Sequence, residues 1–232
     1  MRIVSWNCRQ ALRNKTGYLS RFDADVVVVA ESENLVRLEK ADLPQYPHRM
    51  WEGDVAYKGL LVMSRKDMPL EVAPDHDRWL KLIVPVSVGG PMPITLLGVW
   101  TQKGDEGNYS ADLLRAIELY ADRLGERAVV VGDFNSNSIW DERWADSATH
   151  SQVVARLAEL GLTSLYHART GEAQGAETVP TLAFKGDPAK PFHQDFCFVS
   201  QDLLDQGARL EIPPVDEWIE FSDHAPLLID LP

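Results

Sequence analysis

Long hydrophobic runs are missing from this chain of 232 residues: no apolar stretch approaches the roughly 18 residues of a membrane-spanning helix. Arg2-Ile3-Val4-Ser5-Trp6 reads as a strand starting at once, not as a signal peptide, so the expectation is a protein that begins at Met1 and stays in the cytoplasm. Cysteine is scarce. Cys8 and Cys197 are the only two, both beside strand-like segments, which rules out a disulfide framework and leaves reduced, buried thiols. Low-complexity tracts, internal repeats and long linkers are also lacking, and Gly and Pro are dispersed as turn punctuation. Basic charge is short as well: the formal net charge of −12 argues against broad, sequence-blind attraction to nucleic acid. It does not exclude a nuclease, because acidic residues gathered at a cation site have their field reversed by the ion.

What is there is an ordinary globular composition, 45% hydrophobic and 25% charged, of a length that suits one domain over residues 1–232. Val26–Ala30, Gly59–Ser64, Leu80–Val88, Ile94–Trp100, Ala128–Gly132, Phe196–Ser200 and Pro226–Leu231 have the length and β-branched content of buried strands. Arg9–Phe22, Ser110–Leu124 and Ser151–Leu160 carry helical periodicity, the last two stopping at Gly125 and Gly161 as left-handed caps. Between Trp51 and Trp100 strands follow one another without a helix, which disfavours a doubly wound parallel sheet. Packed sheets with helices outside, an α/β or α+β sandwich, fit better.

Polar residues stand at the ends of the apolar runs. Asn7 follows Arg2–Trp6, Glu31 follows Val26–Ala30, Asp133 and Asn135 follow Ala128–Gly132, and Asp223-His224 precede the last strand. Such groups are costly to bury unless paired or bound to a cation, and together they read as one metal-assisted phosphate site on a sheet edge. In Gly132-Asp133-Phe134-Asn135 a carboxylate and a carboxamide stand two residues apart, able to hold a water and a phosphate together; a turn in which both bond their own backbone is the plain alternative.

Ser5-Trp6-Asn7, Ala30-Glu31, Gly132-Asp133-Phe134-Asn135, Asp195 with Phe196-Cys197-Phe198-Val199-Ser200, and Ser222-Asp223-His224, in this order, resemble the endonuclease/exonuclease/phosphatase superfamily, as does Lys58-Gly59-Leu60-Leu61-Val62-Met63-Ser64-Arg65. That group contains pancreatic-type deoxyribonucleases, apurinic endonucleases, sphingomyelinases and inositol polyphosphate 5-phosphatases. The resemblance runs from Met1 to Leu231 and implies a four-layer sandwich, two central, mostly antiparallel sheets flanked by helices. It implies Glu31 as the principal Mg²⁺ ligand, with Mn²⁺ as substitute, and Asn7 and Asp223 near the ion directly or through water. Asp133 would orient or deprotonate the attacking water and Asn135 would hold it or a phosphate oxygen. His224 would donate to a non-bridging oxygen or act as base, with Asp195 fixing its tautomer; an ordinary buried ion-pair role is the alternative for Asp195. The implied reaction is in-line hydrolysis of a phosphodiester.

The chain departs from the pattern in three places. Trp100 stands where many members have His or Tyr, so leaving-group protonation by a second histidine has no candidate and Trp100 packs or stacks. Arg9 stands where relatives often have Asp or Asn, which offers a phosphate clamp in place of a second metal. Ala30 replaces the Gln that commonly precedes the metal Glu. Lys58 and Lys103 are further phosphate candidates, and Trp140, Trp144 and Phe192 are candidates to stack on a base or wall a substrate pocket. The expected partner is nucleic acid, DNA or RNA, bound by a monomer. A small-molecule or lipid phosphoester is the alternative substrate, and a non-catalytic binding protein on the same fold the remote one.

Overall fold

A computed structural model describes residues 1–80, 82–103 and 108–232. Fourteen strands are present among the described residues: β1 (Arg2–Asn7), β2 (Val26–Ser32), β3 (His48–Val55), β4 (Lys58–Ser64), β5 (Leu70–Val72), β6 (Ile83–Val88), β7 (Ile94–Trp100), β8 (Ala128–Asp133), β9 (Leu162–Ser164), β10 (Leu182–Ala183), β11 (Pro191–Phe192), β12 (Asp195–Ser200), β13 (Arg209–Glu211) and β14 (Leu227–Asp230). The helices are α1 (Thr16–Leu19), α2 (Ser110–Leu119), α3 (His150–Glu159), α4 (Leu165–Thr170) and α5 (Gln201–Asp205).

Two six-stranded sheets form, ordered β13-β14-β1-β2-β4-β3 and β5-β6-β7-β8-β12-β9. Each is antiparallel except for one central pair, β1 with β2 and β7 with β8. Alternation of side chains then dictates the layering. Ile3, Val26, Val28, Leu60 and Val62 of the first sheet pack against Val84, Leu96, Val129, Val131 and Val199 of the second in one shared core. The other face of the second sheet (Leu97, Val99, Val130, Phe198) buries Leu113, Ala116 and Ile117 of α2 and Val153 and Leu157 of α3. The outer face of the first covers Leu12, Leu19, Leu38 and Leu43. The expected four-layer sandwich is what the structure shows.

Some expected bounds change. The helix expected over Arg9–Phe22 is broken into a 3₁₀ turn Leu12–Asn14, the single turn α1 and a second 3₁₀ turn Ser20–Phe22. Arg9, Gln10 and Ala11 have φ of 49°, 65° and 52°. The cause is tertiary: the buried Glu33 carboxylate accepts from Leu12 N (2.8 Å), Arg13 N (3.2 Å) and the Arg13 guanidinium (2.8 Å), pinning this loop to the end of β2. The strand expected from Leu80 starts at Ile83, because Leu80 N closes a turn on Asp77 O; Lys81, inside that expectation, lies outside the described residues. The helix expected to Leu124 stops at Leu119 and continues as a 3₁₀ turn, Ala121–Arg123. Gly161 has the expected left-handed φ of 79°, whereas Gly125 is not left-handed and Arg127 turns the chain with φ 56°. Helix α3 begins at His150, capped by Thr149, whose hydroxyl accepts from Gln152 N in a capping box.

Candidate active site

The site lies where the two sheets' central strands end together. Strand β8 delivers Asp133 through Gly132, whose φ is 150°; a Cβ there would fall 1.8 Å from the Val99 carbonyl oxygen, so only glycine permits this approach of β7 to β8. Asp195 is the register partner of Asp133 across β8 and β12, which sets two buried carboxylates side by side. Glu31 sits in a bulge of β2, between Val29 and Ser32, with φ 60°. Bulges of this kind re-aim a side chain, and here the residue re-aimed is the carboxylate at the strand end.

Hydrogen bonds join these residues into one network. The Asn7 amide nitrogen donates to Asp133 Oδ2 (2.9 Å) and faces Glu31 Oε1 (3.4 Å), while Asn7 Oδ1 accepts from Arg9 N (3.0 Å). Asn135, φ 48°, folds back so that its backbone N donates to Asp133 Oδ1 (2.9 Å) and its side chain to Oδ2 (3.0 Å). The Asp133 carboxylate thus takes a backbone N–H of its own turn, as in the plain alternative, while the Asn135 carboxamide bonds Asp133 and the Thr101 carbonyl (3.2 Å) instead of its own backbone. His224 Nδ1 lies 2.8 Å from Asp195 Oδ2. Lys58 Nζ is 3.5 Å from Glu31 Oε1 and Arg9 Nε 3.9 Å from Asp223 Oδ1.

Burial raises the Asp133 carboxyl to about 7; neighbouring Asp195 pushes the same way, against His224 and the Asn7 and Asn135 N–H donors. At His224 burial disfavours the charged ring, but the Asp195 and Asp133 carboxylates outweigh it and raise the imidazole to about 10. The arrangement pairs a carboxyl titrating near neutrality with an imidazolium that keeps its proton, which suits one to accept a proton from water and the other to stabilise anionic oxygen.

One group among the described residues fits a cation. Ligand atoms of Asp133, Asp195 and His224 lie within 4.8 Å of one another, close enough to hold one. In this conformation both Asp133 oxygens accept N–H groups and His224 Nδ1 is engaged by Asp195. Glu31 and Asp223 are hard oxygen donors with 19% of each side chain exposed, Glu31 beside Lys58 and Asp223 beside Arg9. Asn7 turns its nitrogen, not its oxygen, toward the carboxylates, so it organises Glu31 and Asp133 here.

A cleft of about 440 Å³ opens beside the network, lined by Asn135, Asp223 and His224 at one end and by Lys103, Trp140, Arg143, Trp144, Phe184 and Lys185 farther out. Phe192 does not line the cleft itself but packs on two residues that do, Trp140 (ring centroids 5.2 Å apart) and Phe184 (6.2 Å). Trp100 is only 3% exposed and belongs to the core between the sheets, so its ring is not available for stacking on a substrate; Lys58 covers it with its ammonium 4.7 Å from the ring centroid. Cys8 and Cys197 are free and buried, their thiols pushed up by burial.

Sequence reasoning missed several supporting residues. Thr181 Oγ1 accepts from Gln194 N (2.9 Å) and Asp195 N (3.0 Å), and its carbonyl accepts from Ala225 N (2.8 Å), so it stitches the Asp195 strand to the His224 loop. Ser222 donates to Asn7 O (2.6 Å) and accepts from His224 N (3.1 Å). Asn137 donates to Glu177 Oε2 (3.1 Å) and His193 O (3.0 Å) while capping the 3₁₀ segment Ser138–Trp144 that carries the cleft's tryptophans. Ser222 belongs to the Ser222-Asp223-His224 motif but carries no expected role of its own, Asn137 lies two residues past Asn135, and Thr181 carries no signal in the sequence.

Two packed sheets meeting at a polar edge, with helices on both outer faces, define an α/β sandwich. The chain belongs to the Endonuclease/Exonuclease/phosphatase family, whose profile matches residues 4–224. No curated protein matches the chain in sequence. Among solved structures it is similar to the AP endonuclease LMAP from Leishmania major, at a TM-score of 0.73 and 11% identity, over 98% of this chain and 86% of that one. It is similar to the endonuclease domain of TRAS1, a telomere-specific non-LTR retrotransposon, at 0.68 and 19% identity over 99% and 97% of the two chains. The 3'-5' exonuclease NExo from Neisseria meningitidis is similar at 0.65 and 17% identity, over 100% of this chain and 99% of that one. At these identities the likeness is one of fold.

Proposed function

We propose that this protein is a metal-dependent phosphodiesterase, a nuclease acting on DNA or RNA by in-line attack of water. The observation that carries the reading is the continuous network from Glu31 through Asn7 and Asp133 to His224 and Asp195, with a buried acid–base pair at its centre. Asp133 accepts the proton of the attacking water, and Asn135 holds that water or a phosphate oxygen. His224, kept protonated and oriented by Asp195, places positive charge against the non-bridging oxygens as the transition state spreads negative charge over them. Glu31, ordered by Asn7, and Asp223 would hold Mg²⁺ or Mn²⁺, which would supply a Lewis acid for the phosphoryl oxygens. In this reading Arg9, Lys58 and Lys103 contact phosphates, and Trp140 and Trp144, which line the cleft, stack on bases.

Two of the proteins to which the chain is similar are an endonuclease domain and an exonuclease, which supports a polynucleotide substrate. So does the cleft, whose outer wall carries Trp140, Trp144, Lys103, Arg143 and Lys185; Trp100, expected to wall a small-substrate pocket with Arg9 and Lys58, is instead part of the core between the sheets. The reading takes residues 1–232 as one functional unit, working as a monomer in the cytoplasm; no helix among the described residues is long and apolar enough to cross a membrane. The test is hydrolysis of single- and double-stranded DNA, RNA and a panel of small phosphoesters with Mg²⁺ or Mn²⁺, beside Glu31→Ala. Polynucleotide cleavage that needs both the ion and Glu31 supports the proposal; cleavage of small phosphoesters alone refutes the nuclease.

A further inference from the structure

The bulge that aims Glu31 out of β2 is matched by a second irregularity on the other side of β4. From Val29 to Ser32 strand β2 advances three residues while β4 advances two, Leu61 to Gly59; from Glu52 to Val55 strand β3 also advances three while β4 advances two, Leu60 to Lys58. Gly59 stands at the level of both bulges. Each bulge interrupts the ladder of hydrogen bonds, and Glu31 in addition holds a left-handed φ of 60°, a conformation that side-chain-bearing residues adopt sparingly. Such a conformation persists only where its surroundings fix it.

Trp51 supplies that constraint. It pairs in register with Leu61 and packs on the outer face of the first sheet. Along that face its ring covers two positions that lack side chains. A Cβ on Gly59 would fall 2.5 Å from Trp51 Cε2 and Cζ2, and a Cβ on Gly53 2.6 Å from Cζ2, so the indole fills the space that the two glycines leave. Lying across β4 in this way, it brings Nε1 to the far bulge, where it donates to Ser32 O at 3.0 Å. Ser32 is the residue after Glu31 and is wholly buried. One side chain of β3 thus closes the bulge of β2 across the strand between them. Beyond it, Asn34 N donates to Ala56 O at 2.9 Å and ties the segment after β2 to the β3–β4 turn.

Resting on the metal-dependent reading, in which Glu31 holds the ion, we propose that Trp51 is a positioning residue for Glu31: its indole N–H fixes the Ser32 carbonyl and with it the stretch of backbone that presents the carboxylate. Trp51 does not line the cleft and acts through Ser32. Without the N–H the bulge samples other conformations, and ion affinity falls with the fraction of molecules in which Glu31 is presented. Ring packing and N–H are separable, because the ring covers β3 and β4 while the N–H reaches β2.

The test is calorimetric titration of Mn²⁺ into wild type, Trp51→Phe and Leu43→Ala, with amide exchange of residues 31–34 followed in EDTA. Trp51→Phe keeps a ring over the glycines and lacks the N–H. It is expected to bind Mn²⁺ about fivefold more weakly, the effect of one neutral hydrogen bond, and to exchange faster at residues 31–34 than in the rest of β2. Leu43→Ala opens a cavity in the same outer-face cluster; it is expected to lower the midpoint of urea unfolding and to leave Mn²⁺ affinity as in wild type. Benzothienylalanine at position 51, which has the shape of the indole with sulfur in place of N–H, serves if the phenylalanine variant does not fold. Mn²⁺ affinity in Trp51→Phe equal to or above that of wild type, unchanged exchange at residues 31–34, or an equal loss of affinity in Leu43→Ala overturns the inference. A wild type that binds no Mn²⁺ sinks the metal reading, and exchange at residues 31–34 alone then decides whether Trp51 holds the bulge.

Discussion

His224 Nδ1 and Asp195 Oδ2 lie 2.8 Å apart across the junction of the two sheets, one residue from the loop before β14 and the other from the start of β12. Both side chains are almost wholly buried, so the pair is poorly screened and each member depends on the other. Asp195→Asn keeps the shape and removes the charge that holds the imidazole protonated. We expect at least a tenfold lower kcat, roughly, with KM nearly unchanged, in steady-state assays on whichever substrate the wild type cleaves.

Glu177 makes stability pH-dependent. Its folded-state pKa of about 2 lies below the ordinary 4.5, so its contribution is complete above pH 4.5 and is lost as pH falls toward 2. A depression of that size corresponds to about 3 kcal/mol. Urea unfolding of the wild type should show stability declining across this window, and Glu177→Gln should be less stable at pH 7 with a flatter profile between pH 5 and 3. Parallel profiles for the two proteins would contradict the assignment.

Lys58 supplies positive charge beside Glu31, 3.5 Å from its carboxylate. An arriving divalent ion competes with it. Calorimetric titration with Mn²⁺ should find Lys58→Met binding the ion several-fold more tightly than wild type, while phosphodiester turnover falls because a phosphate contact is gone. Weaker ion binding in the variant would place Lys58 on the side of ion capture.

Gly132 permits the contact between β7 and β8 that sets Asp133 in place. Gly132→Ala would force a Cβ to within 1.8 Å of Val99 O in a conformation that L side chains rarely adopt. Denaturant titration should show a loss of about 3 kcal/mol or more, or failure to fold. An alanine variant as stable as wild type would mean that β7 and β8 can separate without cost.

Much of this was legible in the chain, for identifiable reasons. Strands such as Val26–Ala30 and Ala128–Gly132 are continuous β-branched runs because both faces of their sheets are covered, and their ends carry the network's residues. The loop after β1 was not legible: Leu12, Tyr18 and Leu19 have helical spacing, but Glu33, distant in sequence, takes the N–H groups that a helix starting at Arg9 would use. Trp100 reads the same whether it packs or stacks, and only its place between the sheets decides that it packs. Thr181 and Glu177 act through strand pairing and buried side chains brought together by the fold, and no local pattern marks either.

The most direct test of the account is single-turnover cleavage of a labelled polynucleotide at saturating Mg²⁺ by wild type and His224→Ala. The account predicts cleavage by the wild type that EDTA abolishes, and a rate on the order of a hundredfold lower in the variant once substrate is bound. Equal rates in the two proteins, or cleavage indifferent to EDTA, would contradict it.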